Sequence, residues 1–194
     1  LEQRKTLFLL NQIFGGLLLV SDNPAEYGPE LRALYASQFP VRPKRILGVE
    51  GDGRIRLVRF GIDDKTYFCA ANLGARRCSI TLPEGEWFLD GQVLDGGRNV
   101  EIPPYAARCL YRLPVNRPCL AGSNHLFPGS DVERFSCSGR DIDVSFHSGK
   151  ISAPAVFFVT SDGERYTVHG FTAKPVSTAP VSTNPMPLYR IETK

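Results

Sequence analysis

The stretch Arg77-Cys78-Ser79-Ile80-Thr81-Leu82 places an apolar side chain at every second position. This period of two is typical of a β-strand with one buried face, because successive side chains along a strand point to opposite sides of the sheet. Arg54-Ile55-Arg56-Leu57 alternates in the same way. The two stretches predict a fold made largely of β-strands.

Turn residues separate the predicted strands at short intervals. The turns are Gly51-Asp52-Gly53, Ile62-Asp63-Asp64, Pro83-Glu84-Gly85 and Asp95-Gly96-Gly97. Glycine reaches positive φ at no steric cost, and an aspartate side chain bonds to the backbone near it, so both favour chain reversal. Short strands with turns at this spacing predict an antiparallel β-sandwich of Greek-key type over residues 41–113.

Residues 1–40 have a different pattern. Apolar side chains recur at helical spacing over residues 2–14, at Leu7, Leu10, Ile13 and Phe14. The continuous apolar run Leu17–Val20 predicts a strand buried on both faces, as in a parallel sheet, and a second helix is predicted over residues 29–39. One such unit cannot build a parallel sheet alone, so this segment is predicted to be the end of an α/β domain.

Residues 114–194 begin with a joint rich in Pro and Gly, after which strand patterns resume. Ile142, Val144 and Phe146 alternate with polar side chains. This part is predicted to be either a second small β domain or an extension of the sandwich. A Pro-rich tract follows, and residues 188–191 are predicted to add an edge strand.

Charge and composition exclude several function classes. The net charge is +3 with both signs mixed along the chain, which does not predict the basic face that nucleic acid or an anionic membrane requires. The clusters Arg54, Arg56, Arg59 and Arg76, Arg77 are interpreted as solvated strand faces rather than a polyanion site. No apolar run of membrane-spanning length occurs. The five cysteines form no CxxC pair, which predicts reduced thiols and a cytoplasmic location.

Ser21 and Asp22 follow the Leu17–Val20 strand directly. In α/β barrels the carboxyl end of each strand faces the active site, which would make both residues pocket-lining groups. The alternative is that Asp22 or Asn23 caps the next helix.

The stretch Phe14-Gly15-Gly16-Leu17-Leu18-Leu19-Val20-Ser21-Asp22-Asn23, followed by Glu30-Leu31 and a short helix, resembles the last barrel strand of α-galactosidase-type glycoside hydrolases (the melibiase clan, families 36 and 27). Residues 100–108 resemble an element near the end of the carboxy-terminal sandwich in that clan. The resemblance implies that residues 1–40 are the end of a (β/α)8 barrel.

The same resemblance implies retaining hydrolysis by two Asp residues on earlier barrel strands, upstream of Leu1. It therefore predicts no catalytic residue in this chain, no cofactor, and contact with carbohydrate only through the parent enzyme. Ser21 and Asp22 would help to shape the sugar subsite. The partner would be the chain's own catalytic barrel, with a homo-oligomer left open.

Three further groups are weighed from the residues alone. Trp87, with Phe88 and Tyr105, is either a sugar-stacking platform or part of the sandwich core. Asp141 and Asp143 are interpreted as a solvated strand face rather than a calcium site. The three histidines, His125, His147 and His169, lack metal-ligand spacing, so no metal site is predicted.

Two alternatives to the accessory domain remain. One is a non-catalytic carbohydrate-binding module, and the other is a purely structural or assembly β domain. In the latter case the helix over residues 2–14 would expose an apolar stripe.

Overall fold

The computed structural model describes residues 1–15, 23–147, 155–160, 166–168, 171–175 and 188–193. Within these ranges the chain opens with helix α1 (Glu2–Phe14), a short 3₁₀ turn (Pro24–Glu26) and helix α2 (Pro29–Ala36). All further elements are strands: β1 (Arg45–Glu50), β2 (Ile55–Ile62), β3 (Lys65–Asn72), β4 (Cys78–Thr81), β5 (Glu86–Leu89), β6 (Gln92–Asp95), β7 (Asn99–Ile102), β8 (Ala107–Arg112), β9 (Cys119–Ser123), β10 (Val132–Ser138), β11 (Asp141–Phe146), β12 (Ala155–Val159), β13 (Thr167–Val168), β14 (Phe171–Pro175) and β15 (Leu188–Thr193).

The strands form four sheets. The largest has six strands in the order β1-β2-β3-β8-β5-β6, and β4 pairs with β7 in a separate two-stranded sheet. A four-stranded sheet has the order β14-β15-β12-β9, and a three-stranded sheet the order β10-β11-β13. The described pairings are antiparallel except between β11 and β13. The predicted mainly β, antiparallel sandwich architecture is confirmed.

The six-stranded sheet is covered on both faces. Tyr67 and Cys69 of β3 enter the core that contains α1, whereas Phe68 and Ala70 enter the core shared with β4 and β7. Because side chains alternate across a strand, β3 supplies two cores at once and shows no polar face. The continuous apolar sequence of β3 is thus explained by burial of both faces of an antiparallel sheet, and it does not require a parallel one.

The four-stranded sheet is layered in the same way. Phe157 and Val159 of β12 join the core on the six-stranded sheet, and Val156 and Phe158 join a third core with β10, β11 and β13. The Phe88 and Phe157 rings lie 5.1 Å apart between centroids. Residues on either side of the Pro-rich joint therefore share one core.

Helix α1 packs on the six-stranded sheet through Phe8, Leu9 and Ile13, which are all buried. Leu7 and Phe14 point away and are 57% and 55% exposed. The predicted helix over residues 2–14 is confirmed. Its predicted apolar stripe is wrong in part, because Phe8 and Leu9 rather than Leu7 and Phe14 carry the buried face.

Two other expectations from the sequence differ from the structure. Strand β15 lies between β14 and β12, so the expected edge position is wrong. Helix α2 ends at Ala36, short of the expected residue 39. The expected barrel strand Leu17–Val20 and the Pro-rich tract at 176–187 lie outside the described residues.

Candidate functional site

A cavity of about 580 Å³ lies between the two helices and the edge of the sandwich. We call it the helix-side cavity. It is lined by residues of α1, α2, the β5–β6 turn, β8, β12 and the loop after β9, among them Glu2, Lys5, Asp90, Arg108 and Asn124. Its volume falls in the range of small-molecule sites, which is about 300–1,000 Å³.

The charges of the helix-side cavity are paired with one another. Arg108 Nη1 donates to Glu2 Oε2 at 2.6 Å, and Lys5 Nζ lies 3.5 Å from Asp90 Oδ1. The hydrogen bond from Arg108 lowers the pKa of Glu2. Each pair joins α1 to a strand or turn of the sandwich, so the pairs orient the helix. They leave little charge for a ligand.

Phe88 and Phe157 also border the cavity, but their side chains are only 2% and 8% exposed. Gly91 has φ +84°, and a Cβ there would lie 3.9 Å from the Phe157 ring. The tight turn between β5 and β6 therefore passes directly over the ring. Both rings therefore belong to the core beneath the cavity and present almost no face to a ligand.

A buried polar network underlies this cavity, in the loop between β9 and β10. Ser123 Oγ donates to Asp131 Oδ1 and accepts from the backbone N–H groups of His125 and Gly129. His125 is 6% exposed. Its Nδ1 accepts from the Phe127 backbone N–H at 3.0 Å, and its Nε2 lies 3.3 Å from the Pro40 carbonyl.

These contacts fix the tautomer of His125, with the proton on Nε2 donated to Pro40 and the lone pair on Nδ1. Ser130 Oγ lies 2.7 Å from Nδ1, which already accepts from the Phe127 N–H. A Ser–His pair can act as nucleophile and base, but Ser130 is 1% exposed and both ring nitrogens are occupied. Burial lowers the pKa of His125 to about 4, against an opposing effect of Asp131. The network holds the loop to the segment after α2.

Trp87 lies in the core between the six-stranded sheet and β4–β7. Its side chain is 3% exposed, its Nε1 donates to the Pro83 carbonyl at 2.9 Å, and its ring lies 5.9 Å from that of Phe68. Phe88, its neighbour, lines the helix-side cavity, and Tyr105 is 44% exposed elsewhere. The structure therefore does not bring the three aromatic side chains together.

Ser21 and Asp22 lie outside the described residues. Asp141 and Asp143 occupy exposed positions on β11. In the described ranges, no cluster of three or more His, Cys, Asp or Glu side chains is placed to hold a metal ion. None of the helices described is long and apolar enough to cross a bilayer.

A second cavity, of about 620 Å³, lies at the start of β2 and the end of β3. We call it the arginine cavity. It is lined by Asp52, Arg54, Asn72, Arg76 and Arg77, with small residues and Cys78. Arg54 of the first arginine cluster thus meets Arg76 and Arg77 of the second in one concave surface, because β2 and β3 pair with Ile55 opposite Asn72.

No protein-family model and no curated protein matches this sequence. Several solved structures resemble parts of it. The α-galactosidase I from Mortierella vinacea has 10% sequence identity over 57% of this chain and 35% of that one, with a TM-score of 0.47. AmyP in complex with maltose has 14% identity over 42% and 18%, with a TM-score of 0.31.

The γ-CGTase from alkalophilic Bacillus clarkii has 10% identity over 78% of this chain and 22% of that one, with a TM-score of 0.27. This chain therefore spans between 18% and 35% of the length of these three proteins.

Proposed function

We propose that this chain is the carboxy-terminal accessory domain of a retaining glycoside hydrolase that acts on α-galactosides or related glycosides. In this proposal the catalytic Asp pair lies upstream of Leu1, and the chain alone is inactive. The proposal rests on the resemblance of residues 14–23 to a last barrel strand and on the sandwich that follows it.

The structural observation that carries the proposal is the pair of exposed apolar side chains on the outer side of helix α1. Phe8, Leu9 and Ile13 are buried against the sandwich, while Leu7 and Phe14 expose more than half of their surface on the other side. The same outer side also carries the exposed Gln3, Arg4 and Asn11, so the two apolar side chains stand on an otherwise polar face. Large exposed apolar side chains are the feature that contact with another body would cover. The helix directly precedes the barrel-like segment, so the catalytic barrel is the body we expect on its outer side.

The two carboxylates of the helix-side cavity are both engaged in ion pairs. Retaining hydrolysis needs a nucleophilic carboxylate and a carboxylic acid about 5 Å apart in an open site. Glu2 and Asp90, the two carboxylates of the helix-side cavity, are each held by a basic side chain of the sandwich or helix. The five cysteines carry free thiols, which supports a cytoplasmic parent enzyme.

Activity assays test the catalytic part of the proposal. The 194-residue chain and the longer polypeptide that includes the residues before Leu1 are each assayed with a 4-nitrophenyl α-galactoside. We expect turnover only by the longer polypeptide. Turnover by the chain alone would disprove its inactivity, and a longer polypeptide inactive on α-galactosides would disprove the substrate class.

The packing part is tested on the longer polypeptide with Phe14→Glu. We expect this change to lower its unfolding temperature by several degrees, because a charge would be buried at the interface with the barrel. The matched control is Val115→Glu, since Val115 is 90% exposed. Equal, negligible effects of both changes would contradict an interface at α1.

A carbohydrate-binding module is the second candidate, favoured by the polar rim of the helix-side cavity. It predicts that the chain is retained on an oligosaccharide affinity gel and that Asn124→Ala weakens the retention. Trp87 has no exposed face with which to contribute. A chain that is not retained, and that is inactive in both forms, would point to a purely structural domain.

A further inference from the structure

We propose that the arginine cavity binds an oxyanion group of the phosphate or sulfate kind, carried on a small molecule. This inference is independent of the proposed function. Three arginines, Arg54, Arg76 and Arg77, line the same cavity. The inference rests on their proximity and on the absence of a hydrogen bond or ion pair at two of the guanidinium groups, as described below.

The cavity contains positive charge that the protein itself does not neutralise. Glu101 pairs with Arg77 at 2.9 Å, across the β4–β7 pair. Asp52 lies beside Arg56 as well as Arg54, and hydrogen bonds from the backbone N–H groups of Arg54 and Ile55 lower its pKa. Among the residues that the structure describes, the guanidinium groups of Arg54 and Arg76 have neither a hydrogen bond nor an ion pair.

The backbone that carries these two arginines is held in place. Asn72 is 2% exposed, its Nδ2 lies 2.8 Å from the Arg76 carbonyl and 3.0 Å from the Pro103 carbonyl, and its Oδ1 accepts from the Gly74 N–H. The Leu73 N–H donates to the Arg54 carbonyl at 2.7 Å, which ties the two loops together. Ligand binding therefore need not order the backbone, which lowers its entropic cost.

The backbone on either side of Arg54 and the Cβ of its side chain are also held in place by close contacts. Gly51 has φ +110°, and a Cβ at this position would lie 2.1 Å from the Ile55 carbonyl oxygen. Asp52 Oδ1 accepts from the backbone N–H groups of Arg54 and Ile55, at 2.8 and 3.1 Å. The Arg54 stem passes over Gly74, where a Cβ would lie 3.6 Å from Arg54 Cβ.

Guanidinium groups select the ligand chemistry. Each presents several N–H donors in a planar fork, which matches the paired oxygens of phosphate and sulfate. A cavity of about 620 Å³ is larger than one such ion, so we expect the group to be part of a small molecule. Asp52 in the lining disfavours a second negative charge at the Arg54 end of the cavity.

Calorimetric titration tests the proposal with three probes: inorganic phosphate, galactose 6-phosphate and galactose 6-sulfate, with galactose as the uncharged reference. We expect saturable binding of at least one charged probe, none of galactose, and weaker binding as NaCl is raised. Tighter binding of a sugar ester than of inorganic phosphate supports the proposal. Equal binding of inorganic phosphate would support an anion site but overturn the expectation that the anion is carried on a small molecule.

The variant for this test is Arg54→Gln with Arg76→Gln. We expect it to raise the Kd of the bound probe at least about tenfold. The control is Arg45→Gln, since Arg45 is an exposed arginine that pairs opposite Gly61, about 20 Å along β2 from the cavity. Unchanged circular dichroism spectra establish that both variants are folded.

Three results would overturn the proposal. One is the absence of saturable binding of every charged probe below about 10 mM. Another is an equal effect of the double variant and of Arg45→Gln. The last comes from an NMR titration with the bound probe: the backbone amide chemical shifts of Gly74, Arg76 and Cys78 would remain unchanged.

Discussion

The two cavities have similar volumes, about 580 and 620 Å³, but they differ in whether their charged side chains form ion pairs. In the helix-side cavity each charged side chain that we name has a partner of opposite sign on another element. In the arginine cavity the guanidinium groups of Arg54 and Arg76 have no hydrogen bond or ion pair among the described residues, and only the exposed Asp52 carboxylate lies near Arg54. Paired charges hold α1 to the sandwich, whereas unpaired ones on a fixed backbone are available to a ligand.

The largest effect is expected from Asn72→Ala, which tests whether the arginine cavity is built on a fixed backbone. The change leaves the Arg76, Ile102 and Pro103 carbonyls without their side-chain donor. We expect a loss of roughly 3–4 kcal/mol in the free energy of unfolding, measured by urea denaturation. Anion binding should weaken in the same variant.

The control for Asn72→Ala is Asn99→Ala, because the exposed Asn99 makes one side-chain bond, to Thr81 at 2.9 Å. We expect it to cost less than about 1 kcal/mol. Similar losses for both variants would mean that Asn72 does not build the loop.

The next effect concerns pH and the network beneath the helix-side cavity. The pKa of His125 is about 4 in the folded chain, against an ordinary value of 6.5. Between these two pH values the unfolded chain binds a proton that the folded chain does not. The free energy of unfolding therefore falls as the pH falls from 6.5 to 4, by about 3 kcal/mol from this group.

Urea denaturation of the protein and of His125→Gln, at pH 7 and at pH 4.5, measures this contribution. The variant should be less stable at pH 7 and should lose less stability on acidification. Equal losses on acidification would show that His125 is not the neutral, buried group described above.

A smaller effect is expected for a paired charge of the helix-side cavity. Glu2→Gln removes the carboxylate that accepts from Arg108, at an exposed end of α1. We expect a loss of less than about 1 kcal/mol that shrinks as salt is added. A loss of several kcal/mol would show that the pair is a main support of α1.

The smallest effect is expected for the unpaired charges. Arg54→Gln and Arg76→Gln, made singly, should change the free energy of unfolding by no more than about 0.5 kcal/mol. A small gain is consistent with relief of repulsion between like charges. A clear loss for either variant would contradict the contrast between the two cavities, because it would show that the guanidinium supports the fold.

Local patterns were enough to predict many of the elements. The alternation at residues 77–82 corresponds to β4, whose Ile80 is 7% exposed, with Leu82 beyond it 2% exposed. The helical spacing over residues 2–14 corresponds to α1. These predictions succeeded because period and turn chemistry depend on neighbouring residues alone.

Features that depend on distant pairing were missed. The double burial of β3 requires layers from β4–β7 on one face and from α1 and β12 on the other, and the sequence of β3 contains neither. The position of β15 depends on pairing with β12 and β14. Both features, the burial of β3 on two faces and the interior position of β15, depend on how the sheets of the whole chain pack together.

In the two cavities, too, the local sequence shows the residue types, whereas distant pairing determines which of them come together. Both arginine clusters are visible in the sequence, but the approach of Arg54 to Arg76 and Arg77 in one cavity depends on the register of β2 and β3. Most of the Ser123–Asp131 network lies in the stretch predicted from its Pro and Gly content to be a joint, and that composition does not show that its polar side chains are buried. The only sequence signal was their density over nine residues that include Pro128 and Gly129.

The interior position of β15 has a consequence for biosynthesis. Strand β12 is complete by residue 159 and β14 by residue 175, yet the two are joined only through residues 188–193. While the ribosome is still extending the chain, the apolar strand β12 has a partner on one edge only. The third core can close only after the last of these strands has left the exit tunnel, so the nascent chain must be kept from pairing with its neighbours until then.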